Sequence, residues 1–351
     1  MTKRKKIKLL IAASISIVLA VFLYYQFFYR SPVVDKGIAK LVTQFKGHKD
    51  IVMAVKFGAG DSTVVTAGID STIKVWNTQS GEILLNIKQP AGITSLDLSA
   101  DGRYAVTSGY DAKVRTWDLT IGKLLHEFGG HKGTVWTVAF SRDDKLIASA
   151  GEDKIVRIWD LATGSVRNNL EGHTLNIWAV KFSPVGGKIA SAGFDQSFRI
   201  WDVTTGKLLM SNNEHSQAIV DLAFSHDGKR LVTTSDDKTI RTWNLATGAM
   251  VRIMEVAEHI QAIAFSPDDK MIITGGRDKP VIGELLQNFM GDSEYDKGIS
   301  ARLWNMQTGE LLQTFSHHGN DVNDVAFSHN GKWIATASAD HTVEIWSLSS
   351  F

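Results

Sequence analysis

The sequence predicts an all-β fold, seven copies of one four-stranded unit closed into a ring and preceded by a single transmembrane helix. Three observations predict it. Tryptophan returns at a nearly fixed interval, at 76, 117, 159, 201, 243, 304 and 346. Each interval holds alternating apolar and polar stretches bounded by tight-turn residues. The last unit stops one strand short, and residues near the other end of the chain can supply that strand.

Residues 1–30 carry Lys3, Arg4, Lys5, Lys6, Lys8 and Arg30 and no acid, a charge of +6. From Leu9 to Tyr25 there is no charge, and with Gln26 the apolar run continues to Tyr29. About 20 such residues make about 30 Å of helix, the thickness of a bilayer core. Tyr24, Tyr25, Phe27, Phe28 and Tyr29 gather at the far end, where aromatic rings favour the interface. The run reads as an uncleaved anchor: it is long for a signal peptide, and its bulky end is a poor cleavage site. The basic residues before it place the N-terminus in the cytoplasm and the rest on the far side. There is no cysteine and no Asn-x-Ser/Thr triplet after the run, which favours a bacterial periplasm or outer surface. The expected localisation is a single-pass membrane protein.

The Trp spacings are 41, 42, 42, 42, 61 and 42. Each Trp ends a phrase such as GEDKIVRIWD, and upstream of it lie stretches such as TVWTVAFS and KLIASA. Period-two alternation with β-branched and aromatic residues reads as strands. Asp101-Gly102, Asp227-Gly228 and Asn330-Gly331 mark the hairpin turns between them. Four short strands per unit follow.

These phrases resemble the WD-repeat family of β-propellers over residues 39–351. The resemblance implies a seven-bladed propeller of four-stranded blades. It also implies a buried chain of His, Ser or Thr, Asp and Trp in each blade. Five sets are complete: His48, Thr66, Asp70 and Trp76; His131, Ser149, Asp153 and Trp159; His173, Ser191, Asp195 and Trp201; His215, Thr233, Asp237 and Trp243; His318, Thr336, Asp340 and Trp346. Blade 2 has Gln89 and blade 6 has Val256 in place of His, so both should lose part of the chain of bonds. Ser, His and Asp together can suggest a hydrolase. A constellation present five times is instead a building element that satisfies buried polar groups.

The seventh unit ends at its third strand, while GIAKLVTQFKGH (37–48) aligns with the outer strands of the other units. Residues Lys40–Phe45 should therefore complete blade 7 and close the ring. Residues 31–38 are then a short linker, reaching less than about 30 Å. It should enter at the bottom rim of blade 7, turning the top face sideways or away from the membrane.

In related propellers partners touch side chains around the channel mouth on the top face. The resemblance assigns two positions per blade to that mouth. Partner-binding candidates are Met53, Tyr110, Trp136, Trp178, Phe194, Val220, His259 and Arg277. Blades 2–4 contribute four aromatics to one sector, and aromatic anchors dominate interface energetics.

An insertion, 279–298, interrupts blade 6 on that face. Val281, Ile282, Leu285, Leu286, Phe289 and Met290 form a helical apolar stripe, adding Leu285 and Phe289 to the partner candidates. Its acidic part alternates Asp292, Glu294 and Asp296, but Gly298 falls one place late and Leu303 stands where a calcium loop needs Glu. No metal site is expected.

Beyond residue 30 the chain holds 32 basic and 37 acidic residues, a net of −5, which argues against nucleic acid as a partner. The expected function is a membrane-anchored, non-catalytic scaffold for proteins, without cofactor. The alternative is a sensor of small ligands in the central channel, with Arg277, His259 and Asp236 at its mouth. An enzyme would need a converging set of groups beyond the repeated one.

Overall fold

The computed structural model describes residues 33–256, 258–277 and 301–349. Among them the chain forms seven four-stranded antiparallel sheets. Blade 1 shows the plan: Val52–Phe57 innermost, then Thr63–Gly68, Thr72–Asn77 and Ile83–Lys88 outermost. Each innermost strand packs on the next, and Val322–Phe327 of blade 7 returns to Val52–Phe57, so the ring is closed. The start of each inner strand pairs with the end of the second strand, as Val52 does with Gly68. Those ends define the top face.

Blade 7 takes its outer strand, Ala39–Lys46, from the beginning of the fold. Leu41 pairs with Trp346 and Phe45 with Val343. Phe45 also stacks on Trp76 of blade 1, with ring centroids 5.0 Å apart. The seam is thus both hydrogen-bonded and packed. Elsewhere the core lies between blades: Val156, Ile158 and Leu170 of blade 3 cluster with Ile177, Val180 and Trp201 of blade 4.

Every inner strand carries a bulge near its start, after the first residue in six blades and after the second, Ile260, in blade 6. Register shifts between Val52 and Ala54, between Val135 and Thr137, between Ile177 and Ala179, and at the corresponding place in the other four blades. A bulge leaves one residue out of the ladder and re-aims its side chain. The residues so released are Met53, Thr94, Trp136, Trp178, Val220, Gln261 and Asn323.

The linker takes a different route from the one expected. Asp35 bridges Gln313 on the free edge of the outer strand of blade 6, Leu311–Phe315. The Thr314 N–H donates to the Val34 carbonyl at 2.7 Å, and Gln313 exchanges two bonds with the backbone of Ala39. Lys36 pairs with Glu310. An unpaired strand edge seeks a partner; here the chain covers one edge of its own. The linker therefore descends blade 6 before it rises as the outer strand of blade 7, and does not enter at the rim of blade 7.

The expected membrane placement is corrected. Among the described residues no helix is long and apolar enough to cross a membrane, and the only helical segment is the 3-10 turn Ala59–Asp61. The span expected at 9–29 lies outside the described residues. The single-pass, far-side localisation has no support in the structure and is withdrawn.

Candidate protein-interaction face

The repeated polar chain sits beneath the top face. In blade 1, Trp76 Nε1 donates to Thr66 Oγ1 at 2.8 Å. Thr66 Oγ1 lies 2.7 Å from His48 Nε2, and His48 Nδ1 lies 3.0 Å from Asp70. A hydroxyl has one proton to give. Accepting from the indole, it donates to Nε2, which leaves the proton on Nδ1 to be donated to the carboxylate. The same order recurs through His131 and Ser149, His173 and Ser191, and His215 and Thr233, with Nε2 to hydroxyl distances of 2.7, 2.8 and 2.7 Å. Trp159, Trp201 and Trp243 donate to those hydroxyls at 2.8, 2.9 and 2.9 Å. Burial works to raise the Asp70 pKa, but bonds from His48, the Lys49 amide and Thr72 outweigh it and hold it well below the usual range. Asp153, Asp195 and Asp340 behave alike. Burial lowers His173 and His215 in spite of their carboxylates.

Three blades depart from this order. In blade 2 the Thr107 hydroxyl donates to Gln89 Oε1 at 3.0 Å, so Gln replaces the acceptor half of His, while Asp111 turns to Arg115. In blade 6, Trp304 donates to Thr274 at 3.0 Å, and Glu258 forms a buried ion pair with Arg302. Blade 7 corrects an expectation: His318, Thr336 and Asp340 are joined, but the buried Trp346 Nε1 has no hydrogen-bond partner. Glu344 stands two residues before this Trp, fully buried at 0% exposure, where the other blades have Lys74, Arg115, Arg157, Arg199, Arg241 and Arg302. It is bonded to His317 and, at 3.0 Å, to Gln44. Lining up the residue two before each Trp would have revealed it, yet that residue belongs to no motif.

On the top face the bulges bring the aromatic candidates together in two pairs. Tyr110 and Trp136 meet edge to face at 5.8 Å, and Trp178 and Phe194 at 4.6 Å. The two indoles are half-buried, while Tyr110 and Phe194 are 44% and 43% exposed. Such pairs add about 0.5–1.5 kcal/mol beyond area burial, so the rings are held in place before any partner arrives. Small residues permit the approach beneath them: a Cβ on Gly193, just before Phe194, would lie 2.1 Å from the Asn176 carbonyl. Met53 is half-buried at the same bulge position. Val220, expected at the mouth by its place at the same bulge position, is instead buried. His259 pairs with Asp236 at 3.2 Å and Arg277 with Asp321 at 3.0 Å, so the charges expected to greet a channel ligand are engaged with one another. Leu285 and Phe289 lie outside the described residues.

Three carboxylates of the channel wall are also engaged. Asp324, Asp97 and Asp221 accept backbone N–H groups from Val55, Phe140 and Ile263, each on the following blade, at 2.8–2.9 Å. Lys56 closes on Asp324 at 2.6 Å. Among the described residues there is no His, Cys, Asp and Glu cluster of metal-binding shape.

Seven closed blades, four of them with the full internal chain of bonds, define a repeat propeller. The model of the WD domain, G-beta repeat, matches residues 39–77, 81–118, 122–160, 164–202, 206–244, 250–279 and 309–347, and the chain belongs to that family. It is similar to Protein HIRA of Xenopus laevis, 30% identical over 92 residues, which are 26% of this chain and 9% of that protein. It is similar to the WD repeat-containing protein 89 homolog of Dictyostelium discoideum, 30% identical over 73 residues, 21% of this chain and 20% of that protein. The Transcriptional corepressor LEUNIG_HOMOLOG of Arabidopsis thaliana is 29% identical over 97 residues, 28% of this chain and 10% of that protein. The similarity thus spans a fifth or less of each relative's length.

Proposed function

We propose that this chain is a non-catalytic platform that binds another protein through the top face of blades 2–4. One observation carries the reading. Four aromatic side chains, two of them released by bulges, stand partly exposed in preset edge-to-face pairs on one sector. Aromatic rings held at the surface in fixed rotamers lose little entropy on binding and form the usual centres of protein interfaces. The polar groups that could suggest catalysis are absorbed by the repeated chain beneath that face. The paired charges of Asp236, His259, Arg277 and Asp321 favour the platform over the ligand sensor, since none is free to converge on a channel ligand.

Photo-crosslinking tests the reading. Benzoylphenylalanine replaces Phe194 in one variant and Val251, which is 60% exposed on the outer strand of blade 5, in another. The platform requires protein adducts from position 194 and none from 251. Adducts from 251 alone would move the partner surface to the rim.

A further inference from the structure

The charges on the top face are not evenly matched. On the blade 5–7 side, Asp236 faces His259 and Asp321 faces Arg277. On the blade 1–4 side, two carboxylates have no such partner among the described residues. Asp50 accepts only the neighbouring Ile51 N–H, at 2.8 Å. Glu152 accepts the Thr134 N–H through Oε2 at 3.0 Å, which leaves Oε1 unused. Both side chains are half-buried, so their charge is poorly screened by water.

These two carboxylates lie on top-face loops in or next to the blades that carry the aromatic pairs. Asp50 stands in the loop that leads into the inner strand of blade 1, next to blade 2 with Tyr110, and after burial its charge is the second cause that pushes the Tyr110 hydroxyl above its ordinary pKa. Glu152 belongs to blade 3, where it exchanges hydrogen bonds with Thr134 just before the strand of Trp136, and it directly precedes the tetrad Asp153 as Phe194 precedes Asp195. Ring faces carry negative quadrupole potential and attract cations, most strongly for Trp. Uncompensated carboxylates add to that potential. A partly desolvated sector of this kind repels an acidic partner and is complementary to a basic one.

We propose that the blade 1–4 sector of the top face receives an arginine or lysine side chain of the partner protein, between Tyr110–Trp136 and Trp178–Phe194, with Glu152 and Asp50 as counter-charges. The proposal rests on the reading of this face as the partner surface.

A phage-displayed library of random heptapeptides, selected on the full chain, tests it. Affinities of the synthesised peptides are then measured for wild type, Glu152→Gln, and Trp136→Ala with Trp178→Ala, each checked for an unchanged melting profile. The expected peptides contain Arg or Lys. Replacing that residue by Gln weakens binding about tenfold, and Glu152→Gln weakens it several-fold, in line with a partly desolvated cation contact. Suppose the peptides lose binding to the double variant, yet tolerate Gln at every basic position and bind Glu152→Gln normally. The cation proposal then fails while the face remains the partner surface. Peptides that bind the double variant as well as wild type overturn both.

Discussion

Gln44 donates a hydrogen bond to Glu344 at 3.0 Å across the seam that joins the two ends of the propeller. The acceptor is a fully buried carboxylate in the one blade whose residue two before Trp is acidic. Removing one partner from a buried charged cluster leaves the others unsatisfied, a cost of about 3 kcal/mol. Glu344→Ala should lower stability by about that much in denaturant titration. Glu344→Arg should cost less, because it restores the pattern in which Arg157 pairs with Asp153 at 2.6 Å. An arginine variant as unstable as the alanine variant would show that the carboxylate is specifically required.

The closing strand should be indispensable. Truncation before Gly47 removes Ala39–Lys46 together with the linker on the edge of blade 6. It would uncover Trp346 and leave two strand edges open, which invites aggregation. Size-exclusion chromatography should show aggregates or loss of the folded monomer. A folded, monomeric product would mean that six complete blades hold the ring by themselves.

Within a blade, the hydroxyl is the pivot of the polar chain. Ser149→Ala strands the Trp159 N–H and His131 Nε2 in the interior, at about 1–3 kcal/mol. His173→Gln should be milder than His173→Ala, since Gln89 already accepts the Thr107 hydroxyl in blade 2. Equal losses in the two His173 variants, measured by thermal unfolding, would deny Gln that part.

Acid should weaken the fold in two stages. Burial lowers the pKa of His173 and His215, so their contribution is complete above the unfolded value of about 6.5 and is lost as pH falls through the lower folded values. For Asp70, Asp153, Asp195 and Asp340, hydrogen bonds overcome burial and depress the folded pKa, so their contribution is complete above about 3.9 and fades below it. In both cases the unfolded chain binds more protons, and stability rises with pH. Tm should be level above about pH 7, decline below about 6.5 and fall more steeply below about 3.9. A Tm that climbs on acidification from neutrality would reverse the sign assigned to the histidines.

Much of the ring was legible in the sequence because its determinants are local and repeated. The interval between Trp76 and Trp117, the Asp six residues before Trp, and the GIAKLVTQF strand that blade 7 lacks all stand in the text of the chain. The bulges were not legible. Register is a relation between two strands, and nothing in VWTVAF says that Trp136 leaves the ladder. The part played by Glu344 was hidden for a related reason: its meaning appears only when seven blades are superposed and the seam brings Gln44 to it. The aromatic candidates Trp136 and Trp178 were found by residue type and place in the repeat. Val220 shares that place, yet it is buried where they are half-buried.

The partner surface is tested most directly by quantitative pull-down with wild type, with Trp136→Ala and Trp178→Ala combined, and with Val251→Glu as a rim control of matched stability. Proteins captured by the wild type and by the rim variant should be lost from the double variant, with a drop of at least about tenfold for a hot-spot pair. Equal capture by the double variant and loss from Val251→Glu would contradict the top-face platform and place the interaction on the rim.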